Sequence, residues 1–330
     1  MILAGDVGGT KCNLAVYSFS DQTPEAGFAK SYPSADFAGL EAVAAAFLGE
    51  LGAARPKIRA ACFGIAGPVV DERVDTTNLP WSIAAADLRR VLQTENVFLI
   101  NDLEATGYGV LNLPPAKFVI LNQGRSDPGG QAALIAAGTG LGESVFGRCN
   151  GRLYPLASEG GHSSFAPCGR LEIELLAYLL EQYGHVSTER VLSGPGLYNI
   201  YRFLRDTGRE EEPAGLAGKL AGAEDPSALV SALALEGGPP ITIQALETFV
   251  RIYGSEAANL ALKAKASAGV FIGGGIAPKI LPFLKREIFM QAFLAKGRME
   301  RLLRSIPVKV ALDPKAALLG AACYGQSMAE

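Results

Sequence analysis

Asp6, Asn101, Asp102, Glu159, His162 and Glu189 are the side chains whose type and setting suit recognition of a polar small molecule. Asp6 ends the apolar run Ile2-Leu3-Ala4-Gly5 and precedes Gly8-Gly9-Thr10-Lys11. In such a setting a carboxylate can hold a magnesium ion, directly or through water, while glycine N–H groups approach phosphate oxygens. Lys11 suits either a phosphate or solvent. Asn101-Asp102 leave a short apolar run, and Glu159 and His162 flank Gly160-Gly161, where a ligand can come close to the backbone. Carboxylates, amides and imidazole accept and donate in pairs, as the hydroxyls of a neutral polyol require.

Each of these also has a plainer structural reading. Asn101-x-x-Glu104 has the spacing of a capping box. Glu189, just past a candidate N-cap at Ser187, suits a helix dipole. His162 suits a buried core site or a metal. Glycines make tight turns without binding anything, and one glycine loop alone carries little weight.

Three glycine clusters carry more. Gly5 to Lys11 is followed by Cys12 to Phe19, which is β-branched, aromatic and small, so the loop is the tip of a strand hairpin. Neither GxxxxGK[ST] nor GxGxxG is present there. Gly138-Thr139-Gly140-Leu141-Gly142 joins Ala132–Ala137 to Glu143–Arg148 on the same plan, and Gly273-Gly274-Gly275 follows Ala268–Ile272. All three follow apolar strands, where α/β sheets place ligands. Two of them share a threonine, which tips the reading toward phosphate binding and suggests an architectural duplication.

The elements that must position these residues alternate in the first third. After the opening hairpin, residues 35–51 read as a helix, residues 59–66 as a strand, and Ser82 as the N-cap of a helix through Leu92. Val97 to Ile100 reads as a buried strand. The second half reads as mostly helical: 171–183, then 187–205 with a break at Gly194-Pro195-Gly196. A charged, Gly/Pro-rich surface excursion is expected over 208–240. Ile243, Leu246, Val250, Tyr253, Ala257, Leu260 and Ala264 recur at three and four, so one face of a long helix is apolar and fits the core. Pro278 suits the first position of a later helix.

Composition narrows the function. The 330 residues suit two domains, and 49% apolar with 19% charged residues describes an ordered globular chain. A net charge of -3 argues against nucleic acid as the main partner. No signal peptide or membrane-length apolar run is read, so a soluble, cytoplasmic protein with no membrane partner is expected. Five cysteines without a CxxC suit buried thiols in a reducing compartment, and no structural zinc is expected. The basic residues between Lys285 and Arg304 are interrupted by Glu287 and Glu300 and read as a solvated helical face.

Gly5-Asp6-Val7-Gly8-Gly9-Thr10 and Gly138-Thr139-Gly140-Leu141-Gly142 resemble the two phosphate loops of actin-like sugar kinases. With Asn101-Asp102, Glu159-Gly160-Gly161-His162, the more specific run His185 to Gly196 (HVSTERVLSGPG) and Asp313 to Gly320, the order and spacing resemble the bacterial glucokinase family. The resemblance implies a two-domain α/β actin-like ATPase (ribonuclease H-like) fold with a ligand cleft. It implies a small domain of residues 1–111 plus 313–330 and a large domain of 112–312. It implies ATP and Mg²⁺ as cofactors, with Gly5, Asp6, Val7, Gly8, Gly9, Thr10, Gly138, Thr139, Gly140 and Gly274 on the nucleotide side and Asp6 at the metal. It assigns glucose to Asn101, Asp102, Glu159, His162 and Glu189, with Asp102 as general base toward the 6-hydroxyl. A homodimer is also expected. A repressor-type (ROK) hexose kinase fits less well, because Ser163 to Gly169 lacks the zinc cysteines and the chain begins at the hairpin. An actin-like ATPase without a sugar has no use for Glu159, His162 and Glu189.

Overall fold

Residues Ile2–Val7 form β1 and Lys11–Ser20 return antiparallel as β2, with Asp6 opposite Asn13. The computed structural model describes residues 1–21, 23–52, 56–76 and 79–330. By contacts the chain divides into two units, one of Met1–Pro115, Tyr154–Ala157 and Asp313–Glu330, the other of Ala116–Leu153 and Ser158–Leu312.

In the first unit β3 (Thr23–Pro33) extends the hairpin as a mostly exposed edge strand. Its polar, alternating sequence hides it among loop residues. Helix α1 covers Leu40–Glu50, later than residue 35, because Ser34–Asp36 turn as a 3₁₀ segment and Gly39 is the extended N-cap. The buried run Ala60–Ile65 is β4, parallel to β1. Ser82 does not cap a helix: Ser82–Ala84 is β6, paired with β5 (Arg73–Asp75), and α2 (Ala85–Leu92) starts without a side-chain cap. β7 (Val97–Asn101) lies parallel to β4, and α3 (Asp102–Asn112) follows at once. The sheet order is β3-β2-β1-β4-β7.

Glycine sets how closely α3 packs. A Cβ on Gly64 of β4 would lie 2.6 Å from the Ala105 Cβ, and one on Gly109 would strike the Ala316 carbonyl. Gly320 of the C-terminal helix (Ala316–Met328) meets the Ala105 carbonyl in the same way. The helices therefore touch backbone to backbone, which fixes α3 and the acid at its first turn against the sheet.

The second unit repeats the plan. β8 (Phe118–Asn122), β9 (Ala132–Ala137), β10 (Leu141–Cys149), β12 (Gly269–Gly273) and β13 (Val308–Ala311) form a sheet in the order β10-β9-β12-β13-β8, and β11 (Arg152–Leu156) follows β10 in the chain. β9 and β10 are an antiparallel hairpin, and β12 and β13 run parallel beside it, as β4 and β7 do beside β1. Helices α4 (Arg170–Tyr183) and α5 (Gly194–Asp206) follow, and Gly194-Pro195-Gly196 opens α5 instead of breaking a longer helix. The 208–240 stretch is no loop: α6 (Leu216–Ala221) and α7 (Pro226–Leu235) bury Leu216, Leu220 and Val230. α8 (Pro240–Lys263) turns Leu246, Val250, Tyr253 and Ala257 into the core, as its spacing requires. Pro278 lies before α9 (Leu281–Leu284), whose own first-turn proline is Pro282; α10 (Glu287–Leu294) and α11 (Glu300–Ser305) complete the unit.

No helix among the described residues is long and apolar enough to cross a membrane. Cys12 and Cys62 are buried thiols, whereas Cys149 and Cys168 are exposed, contrary to expectation.

Candidate active site

In the first unit the hairpin tip is held from below. The Gly8 N–H donates to the Lys11 carbonyl at 2.9 Å, Ser34 Oγ donates to the Gly8 carbonyl at 2.9 Å, and the Ser34 N–H to the Thr10 carbonyl at 3.0 Å. The tip proper is Gly8, Gly9 and Thr10. Gly5 and Val7 lie elsewhere: Gly5 is buried where a Cβ would strike the Phe63 ring, and the Val7 side chain is in the core. Gly5 is glycine for packing, and the Val7 side chain turns inward.

Asp6 accepts from Asn13 Nδ2 at 3.0 Å, and Asn13 Oδ1 in turn accepts from Ser31 at 2.6 Å. Burial raises the Asp6 carboxyl above its ordinary range; the Asn13 bond opposes this and the nearby Asp102 charge adds to it. Two carboxylates thus face one locality in this unit, Asp6 at the end of β1 and Asp102 at the start of α3. Asn101 caps that helix: its Oδ1 accepts from the Leu103 N–H at 2.9 Å, and Glu104 accepts from the Asn101 N–H. The capping box is therefore real, and Asn101 Nδ2 also donates to the Gly67 carbonyl at 3.2 Å. Asp102 itself accepts from Leu103 N–H at 2.9 Å through Oδ1. Such a cap is worth about 1 kcal/mol, and it fixes the direction of the neighbouring acid.

In the second unit two short 3₁₀ turns, Gly160–His162 and Thr188–Arg190, are stitched together: the Thr188 N–H donates to the Ser163 carbonyl at 2.8 Å and the Phe165 N–H to the Val186 carbonyl at 2.9 Å. That brings Glu159, His162 and Glu189 onto adjoining turns. Glu159 and His162 are 76% and 62% exposed and 3.8 Å apart, which overturns the core-histidine alternative. Ser187 makes no capping bond, and the local anchor is Ser193. Ser193 Oγ donates to the Glu189 carbonyl at 2.7 Å and accepts from the Gly196 N–H at 3.0 Å. The His185 to Gly196 run thus caps α5 and fixes Glu189 in one stroke.

Glu189 also reaches the second glycine tip. Its Oε2 accepts from the Leu141 N–H at 2.9 Å, and a Cβ on Gly140 would lie 2.6 Å from the same oxygen. The tip is closed by the Gly138 N–H to Gly140 carbonyl bond and tied to α5 by the Gly194 N–H to Gly138 carbonyl bond, both 2.8 Å. Gly274, at φ +81°, lies against the Ala137 backbone where only glycine fits. The second and third glycine clusters are therefore neighbours.

Sequence reasoning missed Asn13 and Ser34, the props of the first tip. Asn13 was findable as the cross-strand partner of Asp6; Ser34 comes from a distant turn and leaves no local signal. No cluster of three or more His, Cys, Asp or Glu able to hold a metal occurs among the described residues.

Comparison with known proteins adds to this geometry. The glucokinase family profile matches residues 3–328. A glucokinase of Synechocystis is 42% identical over 348 residues, covering 98% of each chain. The crystal structure of a glucokinase from an Antarctic psychrotroph superposes with a TM-score of 0.86 at 30% identity, over 99% of this chain and 98% of that one. The same fold extends to a ROK family glucokinase of Streptomyces griseus, solved with glucose and AMPPNP, at a TM-score of 0.64 and 22% identity over 99% of each chain.

Proposed function

The chain belongs to the glucokinase family, and from that premise we propose how its residues carry out the ATP-dependent phosphorylation of glucose. The tips at Gly8-Gly9-Thr10 and Gly138-Thr139-Gly140, with Gly274, offer backbone N–H groups and threonine hydroxyls to the phosphates of ATP. Glu159, His162 and Glu189 bind the sugar hydroxyls, with Asn101 orienting Asp102. Asp102 accepts the proton of the 6-hydroxyl as that oxygen attacks the γ-phosphorus and the bond to ADP breaks. A carboxylate is a weak base, and it suffices because the hydroxyl becomes more acidic as its bond to phosphorus forms. Such base catalysis contributes typically ~10²–10⁴-fold, with positioning supplying much of the rest.

The observation that carries the reading is the stitching of the Glu159–His162 and Glu189 turns beside the glycine tip, because an ATPase without a sugar needs no such set. Asp6 also fits a magnesium ion: a carboxylate oxygen fixed by Asn13 and crowded by the Asp102 charge is the hard donor such a cation favours. Magnesium supplies charge neutralisation on the transferred phosphate. We place the enzyme in the cytoplasm as a homodimer, which sedimentation equilibrium tests directly. The decisive experiment on function is ADP release by purified protein: it is expected to depend on glucose, and ATP turnover indifferent to glucose would overturn the assignment.

A further inference from the structure

Behind the Glu159–His162 turn lies a buried acid that the reaction scheme leaves unused. Glu143 stands on β10 at 2% exposure, and Glu256 on α8 at 5%. Among the described residues, Glu143 Oε1 and Glu256 Oε1 are the buried side-chain oxygens that find no conventional donor. The other Glu256 oxygen accepts from Asn259 Nδ2 at 2.8 Å, and Lys263 Nζ stands 3.6 Å from Glu256 Oε1, beyond hydrogen-bond reach and itself 60% exposed. Glu143 and Glu256 lie within hydrogen-bonding contact, and a proton between two such buried carboxylates satisfies both.

The pair is in contact with the turn. A Cβ on Gly160 would strike Glu143 Oε2 and lie 2.9 Å from its Cβ. Ser158 Oγ donates to the Glu143 carbonyl at 2.7 Å and accepts from the Gly160 N–H at 3.2 Å. Gly161 rests on the Leu141 carbonyl. The turn that carries Glu159 and His162 is thus seated on residues 141 to 143 of β10.

We propose that Glu143 is a positioning residue for sugar binding: it shares one proton with Glu256, and that proton keeps the Gly160 turn seated so that Glu159 and His162 face the sugar. The proposal rests on the assignment of that turn to glucose. Burial first, then the Glu256 charge, pushes the Glu143 carboxyl up to about 7, with Lys263 opposing. The charged groups acting on it are Glu256 and Lys263 on α8, with the Tyr253 hydroxyl of the same helix in reach of its charge; β9 has no titratable side chain, and the turn beside it carries Glu159 and His162. Above neutral pH the shared proton leaves, two like charges face each other in a buried setting, and the turn loses its seat.

The test is the pH profile of the glucose KM in wild type and in Glu143→Gln, whose amide donates to Glu256 at every pH. If only the protonated pair binds sugar well, apparent affinity falls with its fraction, so the wild-type KM is expected to rise roughly fifteenfold from pH 7 to 8.5. The ATP KM stays level, and the glucose KM of Glu143→Gln stays flat. Any pH effect common to both proteins cancels in the comparison. Should Glu143→Gln fail to fold, Glu256→Gln places the same amide from the other side and is expected to give the same flat profile. Parallel glucose profiles in wild type and the folded variant overturn the proposal while leaving the sugar site intact. Absence of glucose-dependent turnover at any pH overturns the sugar assignment itself.

Discussion

Asp102→Asn separates chemistry from helix capping more sharply than any other substitution here, because the structure divides those duties between neighbours. The start of α3 is capped by Asn101 through the Leu103 N–H, with Glu104 completing the box, and none of these atoms changes. The new amide retains an oxygen for the Leu103 N–H that Asp102 Oδ1 now meets at 2.9 Å. Lost is one negative charge in the first helical turn, worth about 0.3–1 kcal/mol with the helix dipole. Against this, removing the charge relieves Asp6, whose carboxyl is then expected to titrate lower than in the wild type. The net change is within about 1 kcal/mol, or about 2–4 °C in the melting temperature of a unit this size. Loss of a general base costs ~10²–10⁴-fold, about 3–5 kcal/mol of barrier, and it falls on kcat. The glucose KM should change little, since an amide still hydrogen-bonds a hydroxyl. The assay is steady-state kinetics in glucose at saturating ATP, beside a melting curve. A kcat within threefold of wild type, with a normal melt, removes Asp102 from the chemistry.

His162→Ala and Glu189→Gln are each expected to raise the glucose KM about 10- to 100-fold, the cost of a charged hydrogen bond at 1.5–3 kcal/mol, with ATP binding spared; weakened ATP affinity at unchanged glucose affinity places them in the wrong site. Gly140→Ala puts a Cβ 2.6 Å from Glu189 Oε2 and should displace that carboxylate, so combining it with Glu189→Ala is expected to cost less than the two singly; strict additivity refutes the contact. Glu143, raised from 4.5 to about 7 in the fold, contributes stability that is full below pH 4.5 and lost as pH passes 7, so Glu143→Gln should abolish a pH slope of as much as ~3 kcal/mol in chemical denaturation. Elemental analysis is expected to find no tightly held zinc, since the only histidines are His162, exposed on its turn, and His185, bonded to Ser164 at 3.2 Å.

The parts legible in the sequence were those whose signal is local. Apolar runs and a glycine tip announce β1–β2 and β9–β10, and three-four spacing announces α8, because each signal lies within the element itself. Ser82 was misread because its strand exists only through Arg73–Asp75, and a three-residue strand has no periodicity of its own. The 208–240 stretch was misread because α6 and α7 are short helices held by the burial of a few side chains and not by propensity. Glu143 carries no sequence signal as a buried acid: an outward strand residue looks the same until Glu256 is known to stand opposite. Asn101 shows that two readings can hold together, since its capping bonds are also what would orient Asp102.

That coincidence is general in this chain and has one physical cause. A carboxylate is costly to hold in place beside a sheet, because burial disfavours its charge. Backbone N–H groups and side-chain donors offset that cost for Glu189, Asp102 and Asp6, and at three places a missing Cβ makes the room. Gly140 admits Glu189 to the Leu141 N–H, Gly160 admits the turn to Glu143, and Gly64 lets α3 lie on β4 with Asp102 at its head. Of these three glycines Gly140 alone lies in a glycine tip, and each of the three leaves room beside a strand for an acid or for the turn that carries one. Any lineage that replaced one of them would have to move a carboxylate as well, so glycine and acid are expected to change together or not at all.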